Sequence, residues 1–111
     1  MAVKHIQVFS YIGSDNVSWT SAENGFDYIC ETVKTHGTDE EYAEIIRRRE
    51  HTLALNPTDE LINETLIKRT TEFADENAMQ SAYSTFLEMS KKTLFLSIND
   101  KIEFLETRIY D

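Results

Sequence analysis

The chain has 111 residues, enough for one domain with its own hydrophobic core and too few for two. Its 20 acidic and 11 basic residues give a net charge of −9, which argues against nonspecific binding to nucleic acid, because phosphates require a cationic surface. The single cysteine, Cys30, excludes an internal disulfide, and no apolar run approaches the roughly 18 residues of a membrane-spanning segment.

The first predicted element is a strand from Val3 to Ile12, which ends at the turn-forming run Gly13-Ser14-Asp15-Asn16. Successive side chains of a strand point to opposite faces. One face is aliphatic and carries Ile6, Val8 and Ile12. The other face mixes aromatic with polar side chains and carries His5, Gln7, Phe9 and Tyr11. We expect the aliphatic face to pack against helices and the mixed face to lie on the open side of the sheet.

Two helices are predicted next. The first extends from Ser21 to His36, and Gly37 is expected to adopt the left-handed conformation just beyond its end. Thr38 and Glu41 form the pattern of a capping box that opens the second helix, which ends at Asn56-Pro57. The apolar stripe of the first helix consists of Phe26, Ile29, Cys30 and Val33. The stripe of the second consists of Tyr42, Ile45, Ile46 and Leu53.

For the stretch from Thr52 to Asn63, the sequence does not distinguish between an extra strand and a loop. From Leu61 to Phe73, β-branched and aromatic residues predict a long strand or a hairpin. Asp75 is the predicted N-cap of a third helix, since its carboxylate can accept hydrogen bonds from the first turn. The apolar face of this helix consists of Met79, Ala82, Tyr83, Phe86 and Leu87. We expect Phe73 and Phe86 to be core residues.

The chain ends with a short apolar run from Leu94 to Ile98, a turn at Asn99-Asp100 and a strand from Lys101 to Tyr110. Leu105 and Ile109 form the aliphatic face of this last strand. Its other face is mixed and carries Ile102, Phe104, Glu106, Arg108 and Tyr110. Mixed faces on both terminal strands suit an interface or a pocket better than open water, so they predict a homodimer.

This order of elements predicts an α+β domain, with helices on one face of an antiparallel sheet. The segment from Leu66 to Met79, an apolar strand ending in Phe73 and followed by the Asp75 cap and a helix, resembles the central strand-to-helix step of the dimeric ferredoxin-like α/β barrels. That superfamily includes antibiotic-biosynthesis monooxygenase-like and stress-responsive barrel proteins. The chain departs from the usual pattern between the first strand and Leu61, where two helical pieces stand in place of one.

The resemblance implies that residues 1–111 form a single ferredoxin-like domain, which is a two-layer sandwich. It also implies that two such domains pair, with their sheets facing each other, into a dimeric α/β barrel. It also implies that the protein binds a small organic molecule and acts as a cofactor-independent monooxygenase-like enzyme. The alternative function is a non-catalytic interaction protein whose acidic surface docks a basic protein partner. Aromatic and polar side chains in one pocket favour the first function, and a continuous acidic face favours the second.

We expect any small-molecule pocket to be lined by mixed-face residues of the first strand, with Trp19 close by: the candidates are His5, Gln7, Phe9, Tyr11 and Trp19. His5 is either a proton-transfer group or a histidine at a strand end near the surface. Trp19 either closes the pocket or packs on the core. Part of the mixed face could instead contact the partner subunit.

The remaining chemistry-bearing residues give weaker patterns. His5, His36 and His51 are not spaced as helical metal ligands, and no phosphate-binding glycine motif is present, so neither a metal nor a cofactor is expected. Cys30 is predicted to be a small buried hydrophobe. The run Arg47-Arg48-Arg49 could grip a carboxylate or phosphate, or pair with neighbouring glutamates. Without the apolar region of a signal peptide near Met1, we expect a cytoplasmic protein.

Overall fold

A computed structural model describes residues 1–87 and 97–111, with the backbone alone for residues 85–87. The elements in chain order are β1 (Val3–Tyr11), α1 (Ala22–His36), α2 (Asp39–Leu53), β2 (Thr58–Asn63), β3 (Leu66–Phe73), α3 (Glu76–Leu87) and β4 (Ile102–Tyr110). The stretch that the sequence left open therefore contains a strand, β2. Glu64 and Thr65 form the turn between β2 and β3, so the segment predicted as a strand or hairpin is a hairpin.

The sheet has β1 near its centre. Within the described residues its four strands are antiparallel and lie in the order β2-β3-β1-β4. Phe9 of β1 lies opposite Ile67 of β3 and opposite Phe104 of β4. Helices α1 and α3 pack on one face of this sheet, and α2 packs against α1. The predicted α+β class is confirmed, and the topology is compatible with a ferredoxin-like sandwich.

The helix ends follow the predicted capping chemistry. The Thr38 hydroxyl accepts a hydrogen bond from the Glu41 amide, and the Glu41 carboxylate accepts one from the Thr38 amide. Asp75 accepts a hydrogen bond from the Ala78 amide at 2.8 Å. The left-handed conformation predicted for Gly37 is wrong, since its φ is −95°. Glycine fits there for another reason: a Cβ atom would lie 2.7 Å from the Val33 carbonyl oxygen.

The orientation predicted for β1 is also wrong. The mixed face lies beneath the helices: His5 is 6% exposed, and Phe9 packs edge-on against Phe26 of α1 with ring centroids 5.0 Å apart. Because the side chains of a strand alternate, Ile6 and Val8 point to the opposite face, which no described helix covers. Covering the aromatic residues rather than the aliphatic ones buries more apolar surface, which favours this orientation.

The mixed face of β4 also lies beneath the helices. Phe104, on its mixed face, lies with its ring centroid 4.9 Å from that of Phe9, beneath the helices. Leu105 and Ile109 are 55% and 48% exposed, although they are aliphatic. The face that no described helix covers, called the uncovered face below, therefore carries a row of branched apolar side chains from β1 and β4, although Ile6 within it is 9% exposed.

The core lies between α1 and the covered face of the sheet. The predicted apolar stripe of α1 is confirmed as buried, with Val33 fully enclosed. Phe73, predicted to be a core residue, is half-buried and packs against Tyr83, with ring centroids 5.5 Å apart. The Phe86 and Leu87 side chains and the run from Leu94 as far as residue 96 lie outside the described residues, so Phe86 stays a prediction. Ile98 is fully buried.

Candidate functional site

A cavity of about 410 Å³ lies between the covered face of the sheet and the helices. Its apolar wall is formed by Phe9 of β1, Phe26 and Ile29 of α1, and Met79 of α3. Phe26 and Ile29 are one helical turn apart and face the sheet together. Cavities of this size accommodate small organic molecules in many proteins.

The close approach of α1 to the sheet depends on Gly25. A Cβ atom at this buried position would overlap the Ile67 side chain of β3 and lie 3.1 Å from the Trp19 ring. Glycine therefore lets the helix axis come near the strand, which places Phe26 against Phe9 at one end of the cavity.

His5 and Tyr83 form a polar pair in the cavity wall. The Nδ1 atom of His5 lies 3.0 Å from the Tyr83 hydroxyl oxygen, and both residues line the cavity. On the other side of the imidazole, the Nε2 atom lies 3.9 Å from a Glu106 carboxylate oxygen. That distance is too long for a direct hydrogen bond but close enough for electrostatic attraction.

Burial determines the protonation of this group. Removal from water lowers the pKa of His5 below its usual value of 6.5; the Glu106 carboxylate opposes that shift, and the Arg108 cation adds to it. Burial raises the pKa of Tyr83. At neutral pH the imidazole is therefore neutral and the phenol keeps its proton, so the donor of the His5–Tyr83 hydrogen bond depends on the imidazole tautomer. This arrangement can move a proton between a bound molecule and the imidazole.

Gln7 contributes a further polar group to the cavity wall. Its Oε1 atom is buried and has no hydrogen-bond partner among the described residues. A buried amide oxygen without a partner costs free energy that a donor on a bound molecule would recover. Gln7 is therefore suited to orient a ligand.

Arginines supply the charged groups of the cavity. Of the five arginines in the chain, four line it: Arg48, Arg49, Arg69 and Arg108. Each forms an ion pair with a carboxylate, respectively that of Glu44, Asp27, Asp59 and Glu76. None of those four carboxylates belongs to the described cavity wall, where the acidic residue is Glu106.

Cys30 also lines the cavity, beside Arg49. The Sγ atom lies 3.7 Å from a guanidinium nitrogen, and Arg49 is held by Asp27 at 2.6 Å. Burial raises the pKa of the Cys30 thiol despite this neighbouring cation. The thiol is therefore protonated at neutral pH, as expected for a small buried hydrophobe.

The structure separates the five residues predicted to line a pocket. His5, Gln7 and Phe9 line the cavity, on the covered rather than the open face. Tyr11 and Trp19 belong to the adjoining core instead, where both rings pack against Tyr28. Burial, together with contacts to Tyr28 and Asp15, raises the pKa of Tyr11 to about 12.

Sequence reasoning did not single out Tyr83, Glu106 or Arg69 as site residues. Tyr83 was assigned to the apolar face of α3, and its hydroxyl was not paired with His5. Glu106 lies opposite Gln7 across the β1–β4 ladder, so its place beside the candidate residues follows from the strand register. Arg69 lies opposite Gln7 on β3. Glu106 and Arg69 could have been found from the alternation of side chains along β4 and β3, once these strands are placed in register beside β1.

The described residues contain no group of three or more histidine, cysteine or acidic side chains able to hold a metal ion. None of the helices described has the length and apolar character that a crossing of a bilayer requires. Comparison with known proteins gives no match of the chain to a family model, to a curated protein or to a solved structure.

Proposed function

We propose that the protein binds a small, largely apolar organic molecule in the cavity between its sheet and its helices. The observation that carries this proposal is the composition of the cavity wall. Aromatic and aliphatic side chains form part of the wall, and the His5–Tyr83 pair and Gln7 supply polar groups beside them. This is the combination by which proteins bind small ligands.

The proposal extends to a chemical role as a cofactor-independent monooxygenase-like enzyme of ferredoxin-like fold, which the resemblance to the dimeric α/β barrels implies. In such a reaction dioxygen is the oxidant, and the protein's own part is to hold the organic molecule and to remove a proton from it. Tyr83 and His5 support that role, because a buried neutral imidazole hydrogen-bonded to a phenol can accept a proton.

We also propose that the protein is a homodimer, as the same resemblance implies, and that its interface is the uncovered face of the sheet. Val8 of β1 and Leu105 of β4 lie directly opposite each other on that face. Ile109, two positions beyond Thr107 on the same face, is 48% exposed. A second sheet packed on this row would remove those side chains from water.

The test of ligand binding is a fluorescence titration with N-phenyl-1-naphthylamine, a neutral probe whose emission rises in apolar sites. Wild-type protein should bind it saturably, at one probe per chain. In Gln7→Phe, the larger side chain should fill the cavity and weaken binding roughly tenfold, which corresponds to about 1.4 kcal/mol. Gln7→Leu is the matched control: it removes the same polar oxygen at nearly constant volume, leaves the cavity open and should weaken binding less than Gln7→Phe does.

If neither wild type nor Gln7→Leu binds the probe, the binding proposal fails. The alternative function, an acidic protein that docks a basic partner without catalysis, would then be favoured. If Gln7→Phe binds as well as Gln7→Leu, the probe occupies another surface and the cavity is not the site.

A further inference from the structure

We infer that the natural ligand of the cavity is an organic anion, with an apolar body and a carboxylate or a similar oxyanion. This inference rests on the proposed function, since it names the class of molecule that the same cavity takes. Four of the five arginines in a chain of net charge −9 line this one cavity, and that concentration carries the inference.

The arginines have capacity beyond the ion pairs that they already form. A guanidinium group carries five N–H donors, and a carboxylate uses two of them at most. Arg108 reaches Glu76 through one Nη1 contact at 2.8 Å. Arg49 reaches Asp27 through Nη2, and the partner of its Nη1 among the described residues is the weakly accepting Cys30 sulfur at 3.7 Å. Arg108 also hydrogen-bonds the Tyr110 side chain. Because each guanidinium has five N–H donors, both arginines still have donors beyond these contacts for an anion in the cavity.

Arg69 is the most deeply buried of these four cations. Its Nε and Nη2 atoms bind the two oxygens of Asp59 at 2.7 and 3.0 Å, and the residue is 5% exposed. The guanidinium carbon lies 4.1 Å from the centroid of the Phe26 ring. A stacked, bidentate arginine keeps its orientation, so its charge faces the cavity at little cost in conformational entropy.

The position of the partner carboxylates determines the sign of the charge that the cavity wall presents to a ligand. Asp27, Asp59 and Glu76 lie outside the described cavity wall, whereas their arginines lie in it. An anion in the cavity therefore contacts guanidinium groups rather than their partner carboxylates, and Glu106 is the carboxylate that the described wall contains. The low-polarity surroundings strengthen the attraction to the guanidinium groups. A cationic ligand would meet the same groups with repulsion. Phe9, Phe26 and Ile29 supply contact for an apolar body.

Two probes of nearly the same shape test the inference. 8-Anilino-1-naphthalenesulfonate carries a sulfonate on the same ring system as neutral N-phenyl-1-naphthylamine. We expect Arg49→Gln and Arg108→Gln each to weaken binding of the sulfonate roughly tenfold and to leave the affinity for the neutral probe within about twofold. Binding of the sulfonate should also weaken with rising salt concentration, and binding of the neutral probe should not.

Arg47→Gln is the matched control. Arg47 lies on α2 beside Arg48 and, like Arg48, forms an ion pair with Glu44. The variant therefore loses one positive charge from the same helix as Arg49→Gln does, but Arg47 does not line the cavity. It should leave both affinities unchanged. Arg49→Lys keeps the charge and should retain most of the affinity for the sulfonate.

The outcomes separate this inference from the proposed function. If Arg47→Gln weakens sulfonate binding as much as Arg49→Gln does, the effect belongs to net charge and the inference is overturned. Equal losses for both probes in Arg49→Gln and Arg108→Gln would also overturn it, since they would reflect a change of cavity shape. In either case the neutral probe would still report binding by wild type, so the proposed function would stand. Failure of both probes to bind wild type would overturn both.

Discussion

The Nδ1 atom of His5 and the hydroxyl oxygen of Tyr83 lie 3.0 Å apart and connect β1 to α3 across 78 positions of the sequence. Their rings are also in contact, with centroids 4.9 Å apart. The pair therefore contributes both to the packing of α3 on the sheet and to the polar part of the cavity wall. Its protonation state affects stability as well as any chemistry in the site.

The first prediction concerns the pH dependence of stability. The pKa of His5 is lower in the folded protein than its usual value of 6.5, so the unfolded chain binds more protons once the pH falls below that value. The His5 contribution to the free energy of unfolding should be constant above about pH 7 and decrease progressively below about pH 6.5. Chemical denaturation at a series of pH values, comparing wild type with His5→Gln, measures this contribution as the difference between the two curves.

His36→Gln is the control for this measurement. His36 is exposed at the end of α1 and does not line the cavity, so this variant removes a histidine without changing the His5–Tyr83 contact. A slope in His5→Gln equal to that of wild type would show that the buried histidine does not titrate as its burial requires.

The second prediction concerns the hydrogen bond itself. Tyr83→Phe keeps the ring contacts but removes the hydroxyl, which leaves the Nδ1 atom of His5 buried without its partner. The free energy of unfolding should fall by about 1–3 kcal/mol. A double-mutant cycle with His5→Phe isolates the pair, and its coupling energy should be about 0.5–1.5 kcal/mol in favour of the bond. A coupling energy of zero would mean that the two groups do not interact in solution.

The third prediction concerns the contact between α1 and β3. In an exposed helix, replacing glycine with alanine stabilises by about 1 kcal/mol. Gly25→Ala should instead destabilise the protein by about 1–3 kcal/mol, because the added methyl group overlaps the Ile67 side chain. Denaturant unfolding measures the change. The reverse substitution at an exposed helical position, Ala43→Gly, calibrates the propensity contribution in this chain. A gain in stability for Gly25→Ala would show that the helix can move away from the strand freely.

Local sequence patterns were sufficient for most of the fold. The capping box at Thr38 and Glu41, the Asp75 cap and the α1 stripe each depend on residues within two turns of one another, so the sequence displays them directly. The α+β class followed from the order of these elements. The prediction failed at Gly37, where the chain needed space beside the Val33 carbonyl rather than an unusual dihedral angle.

The orientation of the sheet could not be obtained in the same way. Alternation along β1 correctly separates His5 and Phe9 from Ile6 and Val8, but both sets contain apolar residues. Which set the helices cover depends on β3, where Ile67 stands opposite Phe9 and is fully buried. The place of the candidate site depends on this orientation. His5, Gln7 and Phe9 line a cavity beneath the helices, whereas the sequence predicted that they lie on the open face of the sheet. Tyr83 comes from a helix whose rotation about its axis the sequence does not define.

The last prediction concerns the uncovered face. A stable homodimer requires an interface of about 1,000 Å² or more in total, and the row that includes Val8, Leu105 and Ile109 offers an apolar centre for one. Light scattering at micromolar concentration should give about twice the chain mass of 12.9 kDa. Ile109→Glu should shift the protein to the monomer, because a two-fold interface would bury the new carboxylate twice without a partner. Ala43→Glu introduces the same charge on the exposed side of α2 and should leave the dimer intact. A monomer mass for wild type, or equal masses for the two variants, would contradict this interface.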